Sequence, residues 1–186
     1  MNSFPTGQSQ QMSKNLLGIT VLAVGGIVIL SSVFVVPAGQ VGVVTTLGKV
    51  SKTPRLPGLN IKLPFIQSSH LFSVRTQVVP EKFSTLTKDL QVIEATATVK
   101  FAVKPNEAPR IYSTIASSDA SIYGRVIQPS LLKSLKSVFS KYELNTIATD
   151  WNTISTLVEK SVAKELNKFD YVAVKGLDLT GLKIAE

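Results

Sequence analysis

Cysteine is absent from this chain of 186 residues. Disulfide bonds, thiolate nucleophiles and zinc sites built on thiolates are therefore excluded. Stability and function must come from packing, hydrogen bonds, charge and contact with a partner.

Histidine is nearly absent too, since His70 is the single one. A histidine base needs a nucleophile beside it, and the chain has no cysteine and no Gly-x-Ser-x-Gly turn to supply one. One histidine among scattered carboxylates is a poor transition-metal site, and the phosphate loop Gly-x-x-x-x-Gly-Lys does not occur. The carboxylates Glu81, Asp89 and Glu94 fall on separate extended segments. We therefore predict no catalytic residues, no metal and no cofactor, and a membrane-tethered hydrolase using His70 is the less favoured alternative.

Acidic residues are outnumbered, with 12 Asp and Glu against 20 Lys and Arg, a net charge of +8. No more than two basic residues fall within any five positions, and no aromatic stacking motif is interleaved with them. Nucleic acid is therefore not a predicted partner. The charge suits either an ordinary solvated surface or attraction to anionic lipid headgroups.

One long segment has no charge at all. Leu16–Val36 comprises 21 residues, 14 of which are Leu, Ile, Val or Phe. A helix of that length is roughly 31 Å long and gains about 4–8 kcal/mol from those side chains on entering a bilayer. A cleaved signal peptide has an apolar region of only about 7–15 residues. We predict a transmembrane helix at residues 16–36, after a polar tail at residues 1–15.

The domain begins directly after this segment. Pro37 to Gly39 turn the chain, and Val41–Leu47 has the pattern of a strand, so the domain must lie close to the headgroups. Strict alternation of apolar and polar residues over Leu90–Lys104 predicts an antiparallel strand with one wet face. A further strand is predicted over Ser69–Arg75.

The stretch Leu56–Ile66 is strongly apolar, yet Pro57 and Pro64 are incompatible with a helix or a central strand. It is either a loop packed on the core or an apolar edge that dips into the same leaflet as the anchor. On the second interpretation, Lys62 reaches the phosphates by snorkelling. The candidate membrane-contact residues are Leu59, Ile61, Lys62, Phe65 and Ile66.

The second half changes from a period of two to a helical period. Three helices are predicted: Asn106–Ile115, a longer one from Asp119 or Ser121 through Tyr142 that is kinked or broken near Pro129, and a third capped by Asp150. A final strand starts at Tyr171 and continues towards Ala185. Strands followed by helices and a last strand indicate an α+β domain. Trp151 opens the third helix and is either a core or capping aromatic residue or an oligomer-interface residue.

The order of these segments resembles a known family. Pro37–Val44, Leu47–Val50 and Pro57–Phe65 are similar to the opening of the SPFH (band 7) domain, a superfamily that includes stomatins, prohibitins, flotillins, HflK and HflC. The stretches most similar to prohibitin are Thr87–Val92, Pro109–Ile115 and Arg125–Ser130 with Leu135–Val138. The resemblance covers about Val36 to Glu186.

The resemblance implies an SPFH domain at residues 37–186 in a non-catalytic, single-pass membrane scaffold. Its expected partners are membrane lipids, other copies or paralogous SPFH subunits in a ring or cage that organises a membrane microdomain, and a membrane AAA+ protease of the FtsH type. The expected location is a bacterial inner membrane, plasma or internal, or alternatively the mitochondrial inner membrane. The alternative function is a small-oligomer adaptor that binds one membrane partner.

Two departures from the family pattern stand out. Family members usually carry an Arg-Glu pair where this chain has Thr149 to Asn152. They also continue past the last strand into a long coiled coil, which is absent from this chain because the sequence stops at Glu186. Either the chain lacks its tail, or it is a short form that assembles differently.

Overall fold

The uncharged N-terminal segment folds into a helix that ends earlier than predicted. In the computed structural model, which describes residues 7–115 and 118–184, helix α1 spans Gly7–Ser31. The hydroxyls of Ser31 and Ser32 both donate to the carbonyl of Val28, at 2.9 and 2.7 Å, and so satisfy an acceptor in its last turn. Within the described residues, no helix meets the length and hydropathy needed to cross a membrane.

The predicted helix boundary at Val36 is therefore wrong. Strand β1, Val33–Val36, takes up the last four residues of the run and pairs antiparallel with β4, Gly58–Ile61. Three β-branched residues and a phenylalanine favour an extended chain, and Pro37 disfavours a helix in the residue before it. Hydropathy alone does not separate these four residues from the helix that precedes them.

The first three-stranded sheet has the order β3-β2-β5. Its strands are β2 Gln40–Thr46, β3 Lys49–Val50 and β5 Gln67–Ser73. The β1–β4 ribbon lies against β2 at Gly42, where a Cβ would stand 3.1 Å from Val36 Cγ2 and 3.3 Å from the Phe34 ring. Glycine at this position allows the two layers to approach closely.

The second sheet has the order β6-β7-β8 and is antiparallel throughout. Its strands are β6 Gln77–Leu86, β7 Val92–Val103 and β8 Val172–Ile184. The alternation predicted for β7 is confirmed, since Ile93, Ala97 and Val99 are fully buried. The predicted last strand is also present, as β8. No strand is predicted at β6, whose Pro80 is tolerated because this strand lies at the edge of the sheet.

In the described part of the chain, β7 and β8 are separated by five α-helices: α2 Ala108–Thr114, α3 Asp119–Ile122, α4 Gln128–Phe139, α5 Leu144–Thr149 and α6 Trp151–Leu166. A π-helical turn, Tyr123–Ile127, joins α3 to α4 just before Pro129, so the long predicted helix is irregular there rather than broken. Asp150 precedes α6 at the predicted cap position, but its side chain makes no capping hydrogen bond.

The core lies between the second sheet and the helices. Among its largest fully buried side chains are Phe101 and Ile93 of β7, Leu131, Leu135 and Phe139 of α4, and Ile154 and Leu166 of α6. The predicted α+β architecture, with antiparallel strands followed by helices and a final strand, is confirmed.

Candidate membrane-contact surface

The outer face of the β1–β4 ribbon is entirely apolar. Val33 pairs with Ile61 and Val35 pairs with Leu59, and directly paired residues of an antiparallel ladder share one face. The exposed fractions of Val33, Val35, Leu59 and Ile61 are 41, 63, 74 and 71%. We call these four residues the apolar ribbon face. The opposite side of the ribbon is turned inward and includes the buried Val36.

A second apolar surface forms where the β2–β3 turn meets the loop before β5. The Leu47 amide donates to the Ile66 carbonyl at 2.9 Å, and Gln67 fixes the loop by accepting from the Leu63 amide at 2.8 Å. The side chains of Leu47, Leu63, Phe65 and Ile66, here called the apolar tip, all project into solvent. Phe65 is 89% exposed and Leu47 81% exposed.

The backbone of the apolar tip is strained. Leu47 and Phe65 adopt positive φ angles of 48° and 67°, in the left-handed region that glycine favours. Each such conformation costs about 1–2 kcal/mol for a residue with a Cβ. Two large apolar side chains are thus held in water at an energetic cost, which is a pattern of contact surfaces rather than of solvated loops.

Both apolar surfaces adjoin the end of α1. The Lys62 amide donates to the Ser32 carbonyl at 2.7 Å, which ties the end of β4 to the residue that follows the helix. Phe65 lies three residues further on, so it is within about 11 Å of this junction along the chain. The apolar ribbon face, the apolar tip and the helix end therefore share one end of the domain.

The structure brings the sequence-predicted contact residues together. Leu59, Ile61, Phe65 and Ile66 are exposed and Lys62 is half-buried, so the stretch is not a loop whose apolar side chains pack on the core. Leu47 is not among the contact residues predicted from the sequence. Its signal was a large apolar residue directly before Gly48 in a turn, where polar residues are the rule.

His70 lies beside Tyr112, and no carboxylate is among its hydrogen-bond partners in the described residues. Its Nε2 lies 3.0 Å from the Tyr112 hydroxyl, and the two rings are 4.6 Å apart. Among the described residues, no three His, Asp or Glu side chains are grouped so that they could hold a metal ion.

The candidate carboxylates serve separate structural roles. Glu81 accepts hydrogen bonds from Tyr123 at 2.7 Å and from Gln128 at 2.9 Å. Asp89 accepts from the Thr87 hydroxyl at 2.6 Å and from the Leu144 amide at 3.1 Å. The Thr87 hydrogen bond is the main cause of the lowered pKa of Asp89.

Trp151 is half-buried at the start of α6. Its ring centroid lies 6.5 Å from that of Phe139, and the side chain packs against the core. The ring therefore has one face on the core and an exposed remainder. A role in an oligomer interface stays a prediction.

Comparison with known proteins agrees with the fold. The family model described as the SPFH domain / Band 7 family matches residues 34–186. Prohibitin-7, mitochondrial, of Arabidopsis thaliana is 26% identical over 69% of this chain and 45% of its own length. Protein HflC of Treponema pallidum is 26% identical over 75% of this chain and 41% of its own, and prohibitin-2 of Gallus gallus is 27% identical over 86% and 52%.

The chain thus spans about half the length of these relatives, or somewhat less. The match begins at Phe34 within β1, so nearly the whole β1–β4 ribbon, both sheets and helices α2 to α6 fall inside the family domain, and α1 precedes it. Several of the similar proteins are prohibitins, as the motif resemblance indicates. On the extent of the match, the chain belongs to the SPFH domain / Band 7 family.

Proposed function

We propose that this protein is a non-catalytic, membrane-anchored SPFH scaffold subunit that assembles on the bilayer, organises a membrane microdomain and regulates a membrane AAA+ protease of the FtsH type. The observation that carries the proposal is the clustering of the apolar ribbon face and the apolar tip beside the end of α1. An apolar surface of this kind on a small domain marks a site of membrane or protein contact.

The anchor in this proposal is the uncharged segment that begins at Leu16. Its part within α1, residues 16–31, is about 24 Å long at the helical rise. Most side chains over residues 18–31 are exposed, as Leu22 at 79% and Leu30 at 78% illustrate. The extended residues of β1 add about 10 Å and continue the apolar surface at the level where the domain begins.

The ribbon is expected to lie at the membrane interface rather than in the hydrocarbon. β1 pairs only with β4, so within the described chain both strands have a free edge of backbone N–H and C=O groups. Open edges are not tolerated in the hydrocarbon region, where no water satisfies them. The side chains of the ribbon face and the tip would enter the leaflet while the backbone stays hydrated.

Assembly follows from this placement in the proposal. Molecules confined to a membrane with one face fixed towards the lipid meet in a common orientation, which raises their effective concentration. Trp151 is the candidate interface residue, since aromatic side chains with an exposed remainder often anchor protein contacts. The resemblance to prohibitins supports the scaffold role and the protease partner.

Site-directed labelling tests the membrane contact directly. Because the chain has no cysteine, Phe65→Cys and Ile61→Cys each give a single labelling site for an environment-sensitive fluorophore. In phosphatidylcholine vesicles carrying the full chain, we expect blue-shifted emission and quenching by lipid-borne nitroxides at both positions. The matched control is Ser137→Cys, an exposed position on α4, which should stay in water. Water-like emission at all three positions would contradict the proposal.

Assembly has a separate test. Membranes extracted with a nanodisc-forming polymer in place of detergent should yield particles of many subunits, as measured by mass photometry. Trp151→Ala should shift this distribution to smaller particles. An unchanged distribution would show that Trp151 does not lie in the interface. Monomeric particles from the unmodified chain would argue against the scaffold.

A further inference from the structure

The charges of this protein are divided along the chain. None of its 12 acidic residues precedes Glu81, whereas six of the 20 basic residues do. Residues 1–80 therefore carry a net charge of +6, and residues 81–186 carry only +2. The excess positive charge lies in the part of the chain that forms α1, the ribbon and the first sheet.

Two lysines of this part stand at the level of the apolar tip. Lys49 is paired with Thr46 across the β2–β3 turn, two residues beyond Leu47, and is exposed. Lys62 follows Ile61 and is joined through its amide to the Ser32 carbonyl. Neither lysine forms an ion pair within the described residues, and Lys52, which is exposed near Lys49, forms none there either.

The other two basic residues of the first sheet lie further from the tip. Arg55 bridges to Gly42, four residues along β2 from Thr46, which corresponds to about 13 Å at the rise of a strand. Arg75 donates to the Ala38 carbonyl at 2.8 Å, at the opposite end of that strand. The headgroup layer is only about 5–7 Å thick, and physiological salt screens charges beyond about 8 Å. Of these basic residues, those near the tip are therefore placed to meet headgroups.

We propose that Lys49 and Lys62 bind anionic phospholipid headgroups and so select the lipids that surround the anchored domain. This inference rests on the proposed membrane contact and adds the lipid class. An ammonium group on a flexible apolar stem reaches the phosphate layer while its stem lies along the apolar tip. No carboxylate pairs with Lys49 or Lys62 in the described residues, whereas Lys52 lines a pocket together with Glu107.

The test measures lipid preference around the full chain. The protein is reconstituted in phosphatidylcholine vesicles with 20 mol% phosphatidylglycerol, and electron paramagnetic resonance compares the association of spin-labelled forms of the two lipids. We expect phosphatidylglycerol to be favoured by about fivefold for each tip lysine at low salt, and less at high salt. The double variant Lys49→Gln, Lys62→Gln should bring the ratio close to one.

The matched control removes two positive charges elsewhere. Lys160 and Lys164 are exposed on α6, without ion pairs in the described part of the chain, so Lys160→Gln with Lys164→Gln lowers the net charge equally. This control should keep the wild-type preference. Equal losses in both double variants would reduce the effect to net charge and overturn the inference, and so would a wild-type chain without preference.

The fluorophore at Phe65 in neutral vesicles separates this inference from the proposed function. Blue-shifted emission there without any anionic preference would refute lipid selection and leave the membrane contact standing. Water-like emission at Phe65 would refute the membrane contact itself.

Discussion

Tyr123 donates a hydrogen bond of 2.7 Å to Glu81 Oε2 and so joins the π-helical turn to β6. The side-chain amide of Gln128 donates to the other carboxylate oxygen at 2.9 Å. The irregular turn before Pro129 thus coincides with a polar contact between the helical layer and the sheet, where each partner satisfies the other.

Tyr123→Phe should destabilise the fold. The substitution leaves the half-buried Glu81 carboxylate with one donor fewer, and hydrogen bonds to charged groups contribute about 1.5–3 kcal/mol. We expect the free energy of unfolding to fall by about 1–2 kcal/mol in denaturant titrations. Tyr142→Phe is the control, because none of the hydrogen bonds described here uses the Tyr142 hydroxyl.

The same contact predicts that Tyr123 ionises at a higher pH than an ordinary tyrosine. Burial, and then the hydrogen bond to Glu81, raise its pKa above the ordinary value of 10.0. Because the unfolded chain loses this proton first, the stabilising effect is complete below pH 10 and declines as pH rises beyond it. In phenolate absorbance titrations, Tyr123→Phe should remove the component that titrates last. Loss of an early component instead would contradict the assignment.

Glu165 makes the stability of the helical layer depend on pH, with a loss of stability in acid. It accepts from Lys133 of α4 at 2.6 Å and from Lys168 at 2.5 Å, and the Lys133 hydrogen bond is the first cause of a pKa lowered to about 2. Since the ordinary value is 4.5, this stabilisation is present above pH 4.5 and is lost as pH falls towards 2. Glu165→Gln should lower the unfolding midpoint at pH 7 and flatten its decline between pH 4.5 and 3. Glu159→Gln, an exposed change on the same helix, should leave the decline as it is.

Gly42→Ala tests the contact between the ribbon and β2. The new Cβ would lie 3.1 Å from Val36 Cγ2, 3.2 Å from Arg55 Cβ and 3.3 Å from the Phe34 ring, so β1 must shift outward. We expect a loss of about 1 kcal/mol, because overpacking outweighs the entropy gained in the unfolded chain. Gly124→Ala, where a Cβ meets nothing within 4 Å, should instead stabilise the protein by about 0.5–1 kcal/mol. If the two substitutions had equal effects on stability, the close packing of the ribbon on β2 would not be what makes Gly42→Ala destabilising.

How far the sequence predicts this fold depends on whether a signal is local. The buried face of β7 was predictable because alternating burial gives an alternating pattern from Ile93 to Val103. β6 was not, because Pro80 and its interspersed polar residues resemble a loop until the partner strand is known. The early end of α1 was missed for a similar reason, since Val33 to Val36 have the same hydropathy in a helix as in a strand.

The candidate membrane-contact surface also combines features with a local sequence signal and features that depend on distant pairing. Exposure of Phe65 and Ile66 is one of two alternatives that the apolar stretch with its prolines leaves open, the other being a loop packed on the core. The contribution of Leu47 depends on the pairing of Thr46 with Gln67, which joins two turns distant in sequence. Sequence periodicity also carries no information about the left-handed backbone at Leu47 and Phe65.

Replacing the strained residues should separate stability from membrane contact. Asparagine adopts the left-handed conformation more readily than phenylalanine or leucine, so Phe65→Asn should stabilise the fold by about 0.5–1 kcal/mol. The same change removes the most exposed apolar side chain of the tip, so a fluorophore at Ile61→Cys should move towards a water-like spectrum. Leu90→Asn is the matched control, since Leu90 has φ 61° and is 76% exposed in the β6–β7 turn, away from the tip. It should give a similar gain in stability with no change at the Ile61 label. If Phe65→Asn stabilises the fold while the label keeps its lipid-like spectrum, the strain at the tip has no connection with the membrane.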